Sequence, residues 1–229
     1  MSELAAHGVS VAYGRQRVLD QLSLHIGAGE TVGLRGASGG GKSTLVRVLA
    51  LVQAADAGHV SLDGVRITGA RHHVPAAART RIGVLFQSPR GATDPRLRLD
   101  DIVAEPLRAT GYPDAAVRER VSELADLVGL TPDLLIRRPH AISDGQLQRA
   151  CLARALAHRP GYLLCDEATA MLDASTQAHV ARVLTDYQLE SGAGILVVSH
   201  DQPLLTRWAD RVIDLQPQTH EHRHAATSV

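Results

Sequence analysis

The chain has 229 residues, enough for one medium-sized domain with a buried core. Its 24 acidic and 24 basic residues give a formal net charge of zero. These numbers exclude a protein that is drawn to nucleic acid or to an anionic membrane by its overall charge, and no nucleic-acid partner is expected.

Neither the cysteines nor the apolar segments point to secretion or to membrane insertion. Cys151 and Cys165 lie in apolar runs and are predicted to be buried thiols in a reducing compartment, not a disulfide or a metal pair. The first residues lack the basic and apolar regions of a signal peptide, and no apolar run approaches the roughly 18 residues of a membrane helix. We therefore expect a soluble, cytoplasmic chain.

Short strand patterns alternate with glycine and polar turn residues in the first part of the chain. A helix is predicted at residues 45–52, after the glycine-rich stretch that follows the third strand. The predicted strands lie at residues 9–13, 22–26, 31–35, 59–63 and 81–85.

Between residues 88 and 159 the pattern changes to a mostly helical one. Helices are predicted at residues 100–109, 114–128 and 146–158. Strand patterns return at 162–165, 195–199 and 212–215, with a helix at 175–189 between the first two. The sequence thus predicts a single α/β domain, residues 1–216, with a core of residues 1–87 and 160–216 and a helical insert of residues 88–159.

A glycine-rich stretch between the third strand and the first helix has the spacing of a phosphate-binding loop. Residues 36–43 read GASGGGKS, which fits G-x-x-x-x-G-K-[ST] in its required place between a strand and a helix. The glycines let backbone N–H groups turn inward, and the helix N-terminus adds partial positive charge. Lys42 can reach the β- and γ-phosphates of a nucleotide, and Ser43 can ligate Mg²⁺.

Lys42 is the only lysine in the chain, and the other 23 basic residues are arginine. A guanidinium is a wide planar fork, whereas an ammonium is a compact charge with three donors. Only the compact group fits among backbone amides that already surround a phosphate. The retention of lysine at this position therefore favours a functional phosphate loop.

Two carboxylates follow the apolar strand at residues 162–165. Asp166 is expected to hold Mg²⁺, usually through water, and Glu167 to polarise the water that attacks the γ-phosphate. Two acidic residues that merely cap a strand are the alternative interpretation.

Residues 141–156 read AISDGQLQRACLARAL and lie between the phosphate loop and the end of the chain. Together with Phe86-Gln87, Met171-Leu172-Asp173 and Ser199-His200, this stretch resembles the ATP-binding cassette (ABC) ATPase family over nearly the whole chain. The resemblance implies a phosphate-loop NTPase (RecA-like) core with an antiparallel β subdomain and an inserted α-helical subdomain.

The resemblance also implies specific roles for residues outside the phosphate loop. Tyr13 stacks on adenine, Gln87 ligates Mg²⁺ and couples the nucleotide to a transmembrane partner, and His200 contacts the γ-phosphate. Asp173 lies in a loop that crosses a dimer of cassettes. The catalytic residues are then Glu167, His200 and Lys42. The implied nucleotide-binding residues are Tyr13, Gly36, Ser38, Gly39, Gly40, Gly41, Lys42, Ser43, Thr44, Gln87, Ser143, Gly145, Gln146 and Asp173, and the Mg²⁺ ligands are Ser43, Gln87 and Asp166.

Ser143, Gly145 and Gln146 belong to the signature segment, residues 142–146, which in the family closes over ATP held by the opposite subunit. The family usually has Leu-Ser-Gly-Gly-Gln, whereas this chain has Asp144 at the third position. A carboxylate about 6 Å from a γ-phosphate charge is repelled by roughly 3 kcal/mol at an effective dielectric of 20. Either Asp144 points away from the nucleotide, which a capping box from Ser143 to Gln146 favours, or the site that it completes is weakened.

A second departure is Ala168, which stands where the family usually has proline after the glutamate. This change affects the stiffness of the loop and not its chemistry.

The segment after Gln87 narrows the resemblance within the family. Residues 88–107 read SPRGATDPRLRLDDIVAEPL, and they resemble the ATPases of peptide and nickel importers. Such systems pair two ATPase subunits with two membrane permease subunits and receive cargo from an extracytoplasmic solute-binding protein. The expected location is therefore the inner face of the cell membrane, through the permease, and the second cassette is either a different chain or another copy.

Two further functions stay open from the sequence. The chain could serve a soluble enzyme complex as an accessory ATPase, or form the hydrolysis-poor regulatory half of a cassette pair. Residues 217–229 are predicted to be a disordered tail in which His220, His222 and His224 either bind Ni²⁺ or Zn²⁺ or are simply polar.

Overall fold

An antiparallel sheet holds the first two strands of the chain in a computed structural model that describes residues 2–168 and 174–215. Its strand order is β2-β1-β4-β5. The strands are β1 (Glu3–Tyr13), β2 (Gln16–Gly27), β4 (Ala57–Leu62) and β5 (Val65–Ile67). Gly14, with a φ of 63°, turns the chain between β1 and β2, where Tyr13 pairs with Gln16. A two-residue hairpin needs such a positive φ, and glycine adopts it without strain.

A second sheet of five parallel strands has the order β6-β7-β8-β3-β9. The strands are β3 (Thr31–Gly36), β6 (Ile82–Leu85), β7 (Tyr162–Asp166), β8 (Gly194–Val198) and β9 (Arg211–Leu215). Every residue of β7 and β8 is buried. Continuous apolar strands of this kind are typical of a parallel sheet that is covered on both faces.

Eight helices lie in the described part of the chain. Short 3₁₀ turns occur at Arg71–His73 and Pro139–Ala141. The helices are α1 (Lys42–Leu49), α2 (Ala76–Arg79), α3 (Leu99–Ala109), α4 (Asp114–Val128), α5 (Pro132–Leu135), α6 (Asp144–Ala155), α7 (Ala174–Ser191) and α8 (Gln202–Trp208).

Alternate residues of the central strands belong to two different hydrophobic clusters. Leu163 and Cys165 pack with buried side chains of α3, α4, α6 and α7, whereas Tyr162 and Leu164 pack with α1 and the antiparallel sheet. This division follows from the two-residue period of a strand. One face of the parallel sheet therefore packs against the helices of residues 99–155, and the other face packs against α1 and the antiparallel sheet.

Several predicted boundaries were wrong, for local reasons. Helix α1 begins at Lys42 and not at 45, because Gly41 caps it with a φ of 93°. Helix α6 begins at Asp144 and not at 146, because the side chain of Ser143 caps it. Strand β1 begins at Glu3 and not at Val9, and β5, α2, α5 and α8 were not predicted.

The two cysteines are buried, as expected. Cys151 and Cys165 are both buried free thiols. In the described ranges, each helix is either too short or too polar to cross a bilayer.

Candidate functional site

The phosphate loop, residues 36–43, connects the end of β3 to the start of α1, and its shape depends on glycine. Gly39 and Gly41 have φ values of 75° and 93°, a region that other residues rarely adopt. A Cβ on Gly41 would lie 2.8 Å from the carbonyl oxygen of Val18. A Cβ on Gly40 would lie 2.9 Å from that of Ala37. These positions therefore admit only glycine without a shift of the backbone.

Lys42 is buried inside this loop, with 5% of its surface exposed. Its Nζ donates hydrogen bonds to the carbonyl oxygens of Gly36, at 3.0 Å, and Ala37, at 2.9 Å. The same atom lies 3.8 Å from Oε1 of Glu167. The predicted phosphate-binding ammonium thus lies in the loop and beside the predicted catalytic carboxylate.

Asp166, at the end of β7, is a buried carboxylate next to Ser43. Burial raises its pKa, with the Glu167 charge adding to the rise, while a hydrogen bond with the Ser43 side chain opposes it. Its Oδ1 has no hydrogen-bond partner among the described residues. A buried carboxylate oxygen without a donor, beside a hydroxyl, is a donor set that suits a hard divalent cation such as Mg²⁺.

Three predicted site residues converge on Glu167. Oε2 accepts a hydrogen bond from Nε2 of Gln87 at 2.8 Å, and Oε1 lies 2.7 Å from Nε2 of His200. Glu167 itself has a φ of 49°, an uncommon conformation for a residue with a side chain. The loops after β6, β7 and β8 therefore meet at one carboxylate, which lies beside Lys42.

Tyr13 lies at the end of β1, beside the first turns of α1. Its hydroxyl donates to Oε1 of Gln53 at 2.9 Å, and a hydrogen bond with the Thr44 side chain lowers the pKa of the phenol. Half of the Tyr13 surface is exposed. Tyr13 and Thr44, both predicted nucleotide contacts, are therefore neighbours at one edge of the phosphate loop.

The signature segment forms the N-terminus of α6. Ser143 Oγ accepts from the Gln146 N–H at 3.2 Å, and Gln146 Oε1 accepts from the Ser143 N–H at 3.0 Å. The predicted capping box is confirmed. Asp144 accepts a hydrogen bond from Arg90, and a Cβ on Gly145 would lie 3.2 Å from Oγ1 of Thr176. Within residues 2–168 and 174–215, no hydrogen bond or ion pair joins this segment to the phosphate loop.

Two residues near these loops were not predicted from the sequence. Gln148, with 1% of its surface exposed, donates to the carbonyl oxygen of Ala168 at 2.8 Å. A polar residue one helical turn after Asp144, on the face that also buries Cys151, was the available signal. Arg90, the partner of Asp144, is 54 residues away in the chain and had no such signal.

Asp173, with Met171 and Leu172, lies outside the described residues, as does the histidine-containing tail at 220–224. The predictions made for them stay predictions.

Comparison with known proteins identifies the family. Residues 19–170 match the family described as ABC transporter. The chain belongs to the ABC transporter family. Over 209 residues it is 40% identical to the nickel import ATP-binding protein NikE of Brucella suis, and the match covers 91% of this chain and 79% of NikE. It is 40% identical over 201 residues to the oligopeptide transport ATP-binding protein OppF of Escherichia coli, with 86% of this chain and 60% of OppF covered.

Solved structures of ABC cassettes have the same fold. A dimeric structure of the cassette MJ0796 bound to ADP and Pi superposes with a TM-score of 0.83 at 26% identity, covering 94% of this chain and 96% of that one. The predicted ABC ATPase fold and the predicted binding and hydrolysis of ATP are thereby confirmed.

Proposed function

We propose that this chain is the ATP-hydrolysing subunit of an ABC importer for nickel or peptides. The proposal is supported by its similarity to NikE, OppF and a peptide import ATP-binding protein of Brucella abortus that is 41% identical over 201 residues. The chain spans 79% of NikE but less than two thirds of OppF. An uptake experiment with each cargo decides between nickel and peptides.

The observation that carries the catalytic assignment is the convergence of Gln87, His200 and Lys42 on Glu167. A carboxylate in this position polarises the water that attacks the γ-phosphate. Gln87 and His200 fix the orientation of the carboxylate, and His200 also reaches toward the phosphate that is transferred. Because phosphoryl transfer depends mainly on positioning and charge neutralisation, these contacts are what the reaction needs.

ATP binds through its phosphates to the loop at residues 36–43. The backbone amides that glycine leaves accessible, together with the N-terminus of α1, attract the phosphate charge. The Lys42 ammonium, held between the carbonyls of Gly36 and Ala37, contacts the β- and γ-phosphates. Ser38 within this loop and Thr44 directly after it add hydroxyl donors, and Tyr13 contacts the adenine.

Ser43, Asp166 and Gln87 are the residues that would hold Mg²⁺. The buried Oδ1 of Asp166 and the adjacent Ser43 hydroxyl supply oxygen atoms of the kind that this cation prefers. Bound there, Mg²⁺ would supply positive charge that offsets the charge of the phosphates.

A second cassette completes the site. Ser143, Gly145 and Gln146 lie apart from the phosphate loop of their own chain, so they are proposed to contact ATP held by a partner cassette, either a different chain or another copy. The dimeric cassette of similar fold, bound to ADP and Pi, supports this arrangement. Asp173 is proposed to lie in the loop between the two subunits.

Membrane permease subunits are the proposed partners for force transmission, and they hold the chain at the cytoplasmic face of the membrane. Gln87 links the catalytic carboxylate to a surface beside Phe86, where the core meets α3 and α6. A cavity of about 390 Å³ lies there, and its lining includes Phe86, Glu105, Arg154 and His158. A permease segment in this cavity would sense the position of Gln87, and the solute-binding protein would act only through the permease.

An uptake assay tests the proposal in a strain that lacks this gene. We expect the deletion to abolish uptake of either radioactive nickel or a labelled peptide. The wild-type gene and the control Glu190→Gln, at an exposed position of α7, should restore uptake, whereas Glu167→Gln should not. If neither uptake depends on the gene, the importer assignment is wrong and an accessory role in a soluble complex is favoured.

A further inference from the structure

All three guanidinium nitrogens of Arg90 donate hydrogen bonds to residues 139–144, at the start of α6. Nε donates to Oδ1 of Asp144 at 2.7 Å, Nη1 to the carbonyl oxygen of Pro139 at 2.8 Å, and Nη2 to that of Ile142 at 3.2 Å. A lysine could not reproduce this planar set of three contacts. Arg90 therefore fixes both the charge and the backbone of residues 139–144.

Arg90 belongs to the loop after β6, three residues beyond Gln87. The same loop is tied to α6 at a second point, where Nη1 of Arg154 donates to the carbonyl oxygen of Ala92 at 2.7 Å. The loop that carries Gln87 is thus linked to both ends of α6, the helix that begins in the signature segment.

Asp144 places a negative charge in the signature segment. Its carboxylate lies in the first turn of α6, between Ser143 and Gly145, which are proposed to face the phosphates of a partner's ATP. An unpaired negative charge at this place repels the nucleotide. The Arg90 guanidinium forms an ion pair with that carboxylate and offsets its charge.

We propose that Arg90 is a positioning residue for hydrolysis: it neutralises Asp144 and holds residues 139–144 so that the signature can approach the partner's ATP. This inference rests on the proposed function, because it needs ATP at the dimer interface. It makes Asp144 compatible with an active signature instead of a sign of a weakened site.

The contribution of this ion pair to folding stability is expected to be small. The side chains of Arg90 and Asp144 are 48% and 60% exposed, and exposed pairs add little to the stability of a protein. Loss of activity on removal of Arg90 can therefore be separated from unfolding. A thermal melt of each variant provides that check.

The test compares Arg90→Ala, Asp144→Gly and the double variant in the assembly that co-purifies with the tagged chain. Arg96→Ala is the matched control, since Arg96 pairs with Asp94 in the same loop but makes no contact with residues 139–146 among those described. We expect Arg90→Ala to lower kcat for ATP about tenfold or more with a melting temperature close to wild type. In the double variant, kcat should rise at least about threefold above that of Arg90→Ala, because the unpaired charge is gone. It should stay below that of Asp144→Gly, because the contacts with Pro139 and Ile142 are still missing. Arg96→Ala should match wild type.

A second measurement follows ATP-dependent association of cassettes in the Glu167→Gln background, where hydrolysis does not intervene. There, Arg90→Ala should weaken association about tenfold, and the added Asp144→Gly change should restore it in part, since the contacts with Pro139 and Ile142 are still missing. Arg90→Ala with wild-type kcat and association overturns the proposal, and so does a double variant that stays as impaired as Arg90→Ala. Failure of the proposed two-cassette site looks different, because the wild-type chain would then show no ATP-dependent association. Failure of the importer assignment alone would show in the uptake assay and would leave these ATPase measurements unchanged.

Discussion

The phosphate loop and the signature segment are both proposed to bind ATP phosphates, but they are built in different ways. The loop is shaped by glycine backbone, encloses the buried Lys42 and is fixed between β3 and α1. In the signature segment, Ser143 and Asp144 are exposed, the capping box satisfies the polar groups at the start of α6, and Arg90 from another loop pairs with Asp144. One half of the site is thus ready within the chain, whereas the other is presented outward. The first half can therefore be tested by ATP binding to the single chain, and the second only by assembly of two cassettes.

The largest effect is expected from Glu167, the carboxylate beside Lys42 of the phosphate loop. Glu167→Gln keeps the shape of the side chain but removes the charge that polarises water, so kcat should fall at least about 100-fold. ATP affinity, measured by calorimetry, should stay within about threefold of wild type. Glu190→Gln serves as the control. Wild-type turnover by Glu167→Gln would remove this residue from its assigned role.

Lys42→Arg tests whether the loop half depends on a compact cation. A guanidinium does not fit where Nζ now contacts the carbonyls of Gly36 and Ala37, so we expect ATP to bind about tenfold to 100-fold more weakly. Calorimetry with magnesium present measures this affinity. Equal affinity of the variant and the wild type would show that the space around Lys42 is not selective, and the contrast with the open signature segment would be lost.

Asp166→Asn should stabilise the folded chain while removing a proposed Mg²⁺ ligand. Because burial raises the pKa of Asp166 in the folded state, stability falls as the pH rises from about 4 through that raised pKa. The amide lacks this charge, so without nucleotide the melting temperature at pH 7 should rise by roughly 2–4 °C, equivalent to about 1 kcal/mol.

The pH dependence supplies the internal control for Asp166→Asn. At a pH well below 4, where the carboxyl is protonated in both folded and unfolded chains, the variant and the wild type should have matching melting temperatures. A stabilisation that persists unchanged at low pH would mean that burial of the charge is not its cause.

The smallest effect is expected from Tyr13, at the edge of the phosphate loop. Tyr13→Ala removes a ring from the proposed adenine contact and should weaken ATP binding about threefold to tenfold, as expected for one stacked aromatic ring. Tyr13→Phe keeps the ring and loses only the hydroxyl, with its hydrogen bonds to Gln53 and Thr44, so its affinity should match wild type. If both variants bind equally weakly, the hydroxyl and not the ring carries the contact.

The same contrast explains how far the sequence alone could predict the molecule. The loop half depends on residues that are adjacent in the chain, so GASGGGKS and the strand before Asp166 were enough to place it. The start of α1 was missed by three residues because the left-handed Gly41 serves as its cap. The pairing of Arg90 with Asp144 joins positions 54 residues apart, and no local pattern encodes such a contact.

The capping box of α6 was foreseen, but the surroundings of Asp144 were not. From the sequence, its carboxylate could be directed away from the nucleotide or could weaken the site. The structure adds a cation that only the tertiary fold brings there. Residues whose roles depend on a neighbouring loop are therefore the ones that sequence patterns leave undecided.

The burial of the single lysine has a practical consequence for spectroscopy. Biosynthetic incorporation of lysine labelled with ¹⁵N at Nζ would place a single labelled ammonium in these 229 residues, at Lys42. One resonance would then report directly from the interior of the phosphate loop, without any engineered substitution. Its chemical shift during a nucleotide titration would follow that ammonium as it exchanges peptide carbonyls for phosphate oxygens.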